Sequence, residues 1–115
     1  MMAAKRIVSN TGPLISLEKL HQGHDLMQQL YDVIIIPKSV LDEVAEGQFA
    51  RPHDYLQHYG IVDFIEVHPV SMTRTLPQAS RLHIGETEAI LLALGLALPL
   101  LIEETVGRPE NRGRP

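Results

Sequence analysis

Side chains that could bind a divalent metal ion stand at the ends of predicted strands and at the start of a predicted helix. Asn10 directly follows a β-prone run, and Glu103 and Glu104 directly follow another one. Glu86 lies in the first turn of a predicted helix, where the helix dipole stabilises a carboxylate by roughly 0.3–1 kcal/mol. Mg²⁺ and Mn²⁺ prefer hard oxygen ligands of this kind. These residues are therefore the first candidates for a metal-dependent site.

The helical period indicates which acids face the interior. Glu86 shares its helix face with apolar residues three, four, seven and eleven positions further on, which are Ala89, Ile90, Ala93 and Ala97, so we expect it in the buried stripe. Glu88 points about 200° away from Glu86 and is the weaker candidate. On an earlier predicted helix, Asp42 and Glu43 both flank the apolar stripe, and periodicity does not separate them.

The elements that must position these residues alternate along the chain. Strands are predicted at residues 7–9, 33–36, 61–67 and 100–102, and helices at 13–20, 26–30, 39–46, 53–59 and 86–96, with helix or loop at 72–82. Ser39 is expected to cap its helix, with Asp42 at the capping-box position. This alternation predicts an α/β fold with a central parallel sheet covered by helices on both faces. In such sheets ligands bind beyond the carboxyl ends of the strands.

The composition of the chain limits which partners it could bind and in which compartment it could work. The chain has 115 residues, which suits one domain, and its net charge of −4 argues against binding nucleic acid by overall attraction. There is no cysteine, which excludes disulfides and thiolate zinc sites. The longest apolar run, 89–102, contains Gly95 and Pro99 and is too short to span a membrane. No signal peptide is visible, so a cytoplasmic protein without a membrane partner is expected.

Other enzyme classes find no support in the motifs. The histidine pairs His21/His24 and His53/His58 do not have the spacing or the third ligand of a zinc site. No serine stands in a nucleophile elbow, and there is no glycine-rich phosphate loop. Each acid also has a simpler interpretation, as a solvated helix residue or a strand-end charge, and Asn10 could be only a turn residue.

Four segments in order resemble one family. These are Ile7-Val8-Ser9-Asn10-Thr11-Gly12-Pro13-Leu14-Ile15, then Ile36-Pro37-x-x-Val40-x-x-Glu43-Val44, then Gly85-Glu86-x-Glu88-Ala89-Ile90, and then Leu100-Leu101-Ile102-Glu103-Glu104. Each alone is a weak signal, but their order is similar to that in PIN-domain proteins. The similarity extends to about Arg108 and is strongest to a poorly characterised PIN-like subfamily of bacteria and archaea.

The resemblance implies a fold, a reaction and a set of residues. The fold would be a Rossmann-like α/β/α sandwich over residues 1–106. Residues 107–115 hold two Gly, two Pro and three Arg with no apolar period, and this composition predicts a disordered tail. The activity would be that of a Mg²⁺- or Mn²⁺-dependent endoribonuclease, and many members of the family are toxins of toxin–antitoxin pairs. The family's four acids fall on Asn10, Glu43, Glu86, and Glu103 or Glu104, and Thr11 falls beside the first of them.

Two departures from the family pattern create an alternative hypothesis. The family usually has Asp where this chain has Asn10, and it continues through a further helix and edge strand where this pattern ends. An exposed strand at 100–102 would then favour pairing with an antitoxin or a second copy. The alternative to the ribonuclease is thus a catalytically impaired module that binds nucleic acid or protein. A phosphoacceptor receiver domain is a distant third, since the paired acid and the downstream lysine are not evident.

Overall fold

The structure, a computed structural model, describes residues 5–20, 22–70 and 84–103. Strands and helices alternate through these ranges: β1 (Arg6–Ser9), α1 (Thr11–Glu18), α2 (Gly23–Leu30), β2 (Val33–Pro37), α3 (Lys38–Ala45), α4 (His53–His58), β3 (Ile65–His68), α5 (Ile84–Leu96) and β4 (Leu100–Leu101). The residues at 72–82, the tail at 107–115 and Glu104 lie outside the described ranges, so the predictions made for them stay predictions.

The four described strands form one parallel sheet in the order β3-β2-β1-β4. Val8 of β1 joins three strands, because it pairs with Ile35 of β2 on one side and with Leu100 of β4 on the other. With helices on both faces, this sheet confirms the predicted α/β/α sandwich. The strand order reverses between β1 and β4, and the carboxyl ends of these two strands therefore border the crevice where ligands bind in such folds.

Alternating side chains of the central strands build a core on each face of the sheet. Ile7, Ile34 and Ile36 pack with α1, α3 and α4 on one face. Val8 and Ile35, both fully buried, pack against α5 on the other face. The continuous β-branched run of β2 is explained by this double coverage, because neither face of the strand meets water.

Several boundaries differ from the sequence-based expectations. Residues 61–64 form a turn rather than strand, because the amide of Phe64 donates to the carbonyl oxygen of Ile61. The last strand is half-buried and ends at Leu101, so the prediction of a buried strand through Ile102 was wrong. Ser39 does not cap α3. That helix begins at Lys38 after Pro37, and no side chain caps it.

The buried stripe of α5 also differs from the prediction. Its inward row is Gly85, Ala89 and Ala93, whereas Glu86 is exposed and Ile90 is 39% exposed. The helix starts two residues earlier than predicted, and Gly85 takes the inward place at its first turn. Within the described ranges, no helix combines the length and the apolar character needed to cross a bilayer.

Candidate active site

The junction of β1 and α1 lies at the carboxyl end of the sheet, beside the reversal of strand order. Asn10 lies between β1 and α1, and its backbone amide donates to the carbonyl oxygen of Leu101 in β4 at 3.3 Å. Thr11 begins α1 and is buried together with Gly12. Residues 10–12 therefore stand where the first strand, the last strand and the first helix meet.

Thr11 connects this junction to α3. Its hydroxyl donates to Oε1 of Glu43 at 2.8 Å, across 32 positions of sequence. Because Glu43 is exposed as a whole, one carboxylate oxygen is held by Thr11 while the side chain stays accessible to solvent. The hydrogen bond distinguishes Glu43 from Asp42, which periodicity alone could not. Asp42 turns instead to Lys38, with Nζ to Oδ1 at 3.1 Å.

The start of α5 lies against the same pair of side chains. A Cβ atom added at Gly85 would stand 3.2 Å from Oε1 of Glu43 and 3.5 Å from Oγ1 of Thr11. Only a residue without a side chain leaves this space open. The backbone of α5 at Gly85 is thereby brought beside Glu43 and Thr11, and Glu86 is the next residue along the chain.

The end of β4 reaches the junction through its backbone. A Cβ atom at Gly12 would overlap the carbonyl oxygen of Glu103, so the glycine is what lets α1 approach this segment. The carboxylate of Glu103 points to another partner, because the hydroxyl of Ser16 donates to its Oε2 at 2.6 Å. Glu103 is thus near the junction by its main chain, with its side chain held one turn along α1.

Asn10 carries an unsatisfied polar atom at this place. The residue is 7% exposed, and its Oδ1 has no hydrogen-bond partner among the described residues. A buried amide oxygen without a donor costs free energy, about 1–3 kcal/mol, so such an atom calls for an explanation, for example an ion or a water molecule that it binds. An amide carbonyl oxygen is also a ligand that hard divalent cations accept.

Glu88, the weaker candidate by helical period, has a defined contact. It is half-buried, and the hydroxyl of Ser39 in α3 donates to its Oε1 at 2.6 Å. Ser39 lies one turn before Glu43 on the same helix. This contact places the carboxylate of Glu88 on the side of α5 that faces α3.

The donor set fits a divalent metal only in part. Oxygen ligands are present in Asn10, Thr11 and Glu43, and the orphaned amide oxygen is an observation in favour of a cation. Within residues 5–20, 22–70 and 84–103, however, no three Asp, Glu or His side chains are close enough together to hold an ion. The segments converge, whereas the carboxylates are held apart by Thr11, Ser16 and Ser39.

Comparison with known proteins identifies the fold. A sequence-family model described as a PIN domain matches residues 6–112, which is almost the whole chain. The chain belongs to the PIN domain family. No curated protein matches it. The PIN assignment agrees with the parallel sheet and its flanking helices, and it confirms the resemblance inferred from the four sequence segments.

Family membership carries some conclusions about chemistry and leaves others as predictions. A PIN domain is a nuclease-type fold, and PIN domains generally use divalent metal ions. The roles of Asn10, Glu43, Glu86 and Glu103 in this PIN domain stay predictions, as does that of Glu104, which lies outside the described residues. The contacts of Ser16 with Glu103, of Ser39 with Glu88 and of Gly85 with Glu43 were not predicted from sequence, because a small residue gives no such signal until its neighbours in space are known.

Proposed function

We propose that this PIN domain is a metal-dependent endoribonuclease. The observation that carries the proposal is the meeting of four separate chain segments at Thr11 and Gly12. In this proposal the segment after β1 would supply Asn10, α3 would supply Glu43, the start of α5 would supply Glu86, and the segment after β4 would supply Glu103; the contacts of Thr11, Gly85 and Gly12 support it. Each of these positions is the one that the family resemblance assigns to an acid of the site.

Mg²⁺ or Mn²⁺ would be held by oxygen ligands of these residues. The orphaned Oδ1 of Asn10 and the accessible carboxylate of Glu43 support the centre of such a site, with Glu86, Glu103 and Glu104 as further ligands. When bound, the ion supplies a water of lowered pKa and neutralises negative charge that grows on the scissile phosphate.

The protein's own residues would prepare this site for the ion. Thr11 fixes the orientation of one Glu43 oxygen, in the way that residues behind a metal ligand usually do. Ser16 and Ser39 hold Glu103 and Glu88 in place, which limits the repulsion between acids when no ion is present. Asn10 offers an oxygen without charge, so the site has one negative charge fewer than the usual pattern.

RNA is the proposed substrate, and a role as the toxin of a toxin–antitoxin pair, in the cytoplasm, is part of the same proposal. With a net charge of −4, the chain would bind RNA through the ion rather than through general attraction. A homodimer or a complex with an antitoxin protein would form by pairing with β4, which is an outer strand of the sheet in the part of the chain that the structure describes.

A catalytically impaired binding module is the second candidate function. Asn10 favours it, because the missing charge weakens a site built of hard ligands. The hydrogen bond between Ser16 and Glu103 favours it too, since it directs this carboxylate away from the junction. The two functions share the fold and differ in whether the residues assemble around an ion.

RNA cleavage in Mn²⁺ separates the two candidates. Native chain, Asn10→Asp, Glu43→Gln and Glu86→Gln would be incubated with a mixed-sequence RNA in Mn²⁺ or in EDTA. We expect Mn²⁺-dependent cleavage that rises in Asn10→Asp and is lost in the two glutamine variants. Glu66→Gln is the matched control. Glu66, in β3, pairs with Arg6 of β1 and with His68 of β3, so its replacement should leave cleavage unchanged. Absence of cleavage in every form, Asn10→Asp included, would favour the binding module.

A further inference from the structure

A groove runs from the candidate active site along the exposed side of α3. Its volume of about 840 Å³ lies within the usual range of ligand clefts, about 300–1,000 Å³. Its lining includes Glu43, Glu46 and Phe49, which follow one another at three-residue spacing. Pro52 and the start of α5 at Ile84 line it as well.

The groove and the candidate active site share residues. Gly85 lines the groove, and its Cα faces Oε1 of Glu43, which would be 3.2 Å from a Cβ atom there. Glu43 lies near the end of α3, and Phe49 follows the turn at 46–48 that leads out of this helix, yet both residues line the groove. An RNA strand cut at the proposed metal site beside Glu43 would therefore have a neighbouring nucleotide next to the groove.

The floor of the groove is apolar and includes a supported aromatic ring. Phe49 is half-buried and packs on Tyr55 and His58, with ring centroids 5.9 and 5.4 Å away. These contacts hold the ring in place, and Phe49 also lines the groove. A fixed aromatic ring beside apolar side chains is a surface on which a nucleobase stacks.

The carboxylate of Glu46, which lines the groove, disfavours phosphate groups and favours groups that donate hydrogen bonds. The carboxylate of Glu46 is exposed and has no hydrogen-bond or ion-pair partner among the residues that the structure describes, whereas that of Asp42 is engaged by Lys38. A carboxylate repels the phosphate backbone, so the part of the RNA that enters must be a neutral base. Carboxylates accept hydrogen bonds from an exocyclic amino group such as N4 of cytosine.

We propose that this groove is a base-binding subsite that takes a nucleobase with an exocyclic amino group in preference to uracil. The base stacks on Phe49 and donates its amino hydrogen to Glu46. Uracil is disfavoured because its ring donor, N3–H, is flanked by two carbonyl oxygens, which would be brought against the carboxylate together with it. The inference deepens the proposed ribonuclease function, on which it rests, by assigning a sequence preference to the nucleotide next to the cleaved bond.

Binding of uncharged nucleosides tests the subsite without any need for cleavage or metal. The chain has no tryptophan, so Phe49→Trp introduces a single fluorophore into the floor of the groove. We expect cytidine to quench this fluorescence at a concentration about fivefold or more below that of uridine. Adding Glu46→Gln should remove the preference, while adding Glu66→Gln should leave it. Equal quenching by both nucleosides, or none, would overturn the proposal.

Two further measurements guard against an effect of the tryptophan itself. In the native chain, cytidine should shift the amide NMR signals of Glu46, Phe49 and Gly85, and uridine should shift them less. A short arginine peptide is the competing ligand, because an acidic rim over an apolar floor also attracts basic peptides. If that peptide shifts these signals and cytidine does not, the groove binds protein and the proposal is wrong.

Cleavage mapping distinguishes this inference from the function on which it rests. If the native chain cuts RNA, the bases next to the cut should be enriched in cytosine, adenine or guanine, and Glu46→Gln should abolish the enrichment while cleavage continues. Cleavage without any base preference would contradict the subsite alone. Absence of cleavage would contradict the nuclease, and the nucleoside titration would still decide whether the groove binds a base.

Discussion

Thr11 is the residue that holds Glu43 in the candidate active site. Its buried hydroxyl donates to Glu43 at 2.8 Å, while the rest of the Glu43 side chain faces solvent. Thr11→Val keeps the shape and removes the donor, so we expect RNA cleavage in Mn²⁺ to fall by about 10- to 100-fold, as for other residues behind a metal ligand. Thr11→Ser retains the hydroxyl and should retain most of the activity. Equal activity of the valine and serine variants would show that this hydrogen bond does not matter for cleavage.

His24 gives the protein a pH-dependent stability that is independent of the active site. The residue is 7% exposed, its Nε2 has no partner among the described residues, and its ring packs on Tyr59 at 5.0 Å. Burial lowers the pKa of His24 below its usual 6.5, and the nearby charges of Glu18 and Asp25 oppose that shift. The unfolded chain thus takes up this proton at a higher pH than the folded chain does.

The sign of the pKa shift fixes the pH range of the effect. The contribution of His24 to stability is fully present above pH 6.5 and is lost as the pH falls below that value toward the lowered folded pKa. We expect the urea midpoint to drop between pH 7.5 and 5.5, and His24→Phe to reduce that drop while keeping a ring on Tyr59. His53→Gln, at an exposed position, is the control. An unchanged drop in His24→Phe would contradict this account.

At the scale of elements, α5 allows a matched comparison of two glycines. A Cβ atom at Gly85 would crowd Glu43 and Thr11, whereas at Gly95, in the same helix, it would meet nothing within 4 Å. Gly95→Ala should raise the free energy of unfolding by about 0.5–1 kcal/mol and leave cleavage unchanged. Gly85→Ala should displace the Glu43 carboxylate and lower cleavage at least tenfold.

The Gly85 prediction is checked by measuring unfolding and cleavage together. Urea denaturation establishes that both alanine variants are folded, and cleavage of the same RNA in Mn²⁺ gives the activity. If Gly85→Ala cleaves RNA as well as Gly95→Ala, the space between α5 and Glu43 has no role in catalysis.

The elements were predictable where local pattern and burial agree. β2 was evident from its β-branched run, and α3 from the spacing of Val40, Leu41 and Val44, all of which are buried. The third strand was placed too early, because residues 61–64 alternate like a strand but close a turn through the Ile61 carbonyl. Glu86 was expected in the buried stripe of its helix but is exposed, because helix periodicity cannot say at which residue a helix begins.

For the molecule as a whole, the order of elements predicted more than the residue patterns did. Alternating strands and helices led to a parallel sheet, and that sheet led to residues at its carboxyl edge, where Asn10, Thr11 and Glu43 lie. The details of the site were not predictable. The hydrogen bonds of Ser16 to Glu103 and of Ser39 to Glu88 join positions 87 and 49 residues apart, and nothing local encodes them.

Binding of Mn²⁺ tests most directly whether these distant segments form one metal site. Affinity would be measured by electron paramagnetic resonance for the native chain, Asn10→Asp and Glu43→Gln, with Glu66→Gln as control. We expect Asn10→Asp to tighten binding by about tenfold or more, because it adds a negative charge next to the ion, and Glu43→Gln to weaken it strongly. Equal Mn²⁺ affinity in all four proteins would contradict a metal site at the meeting point of β1, α3 and α5.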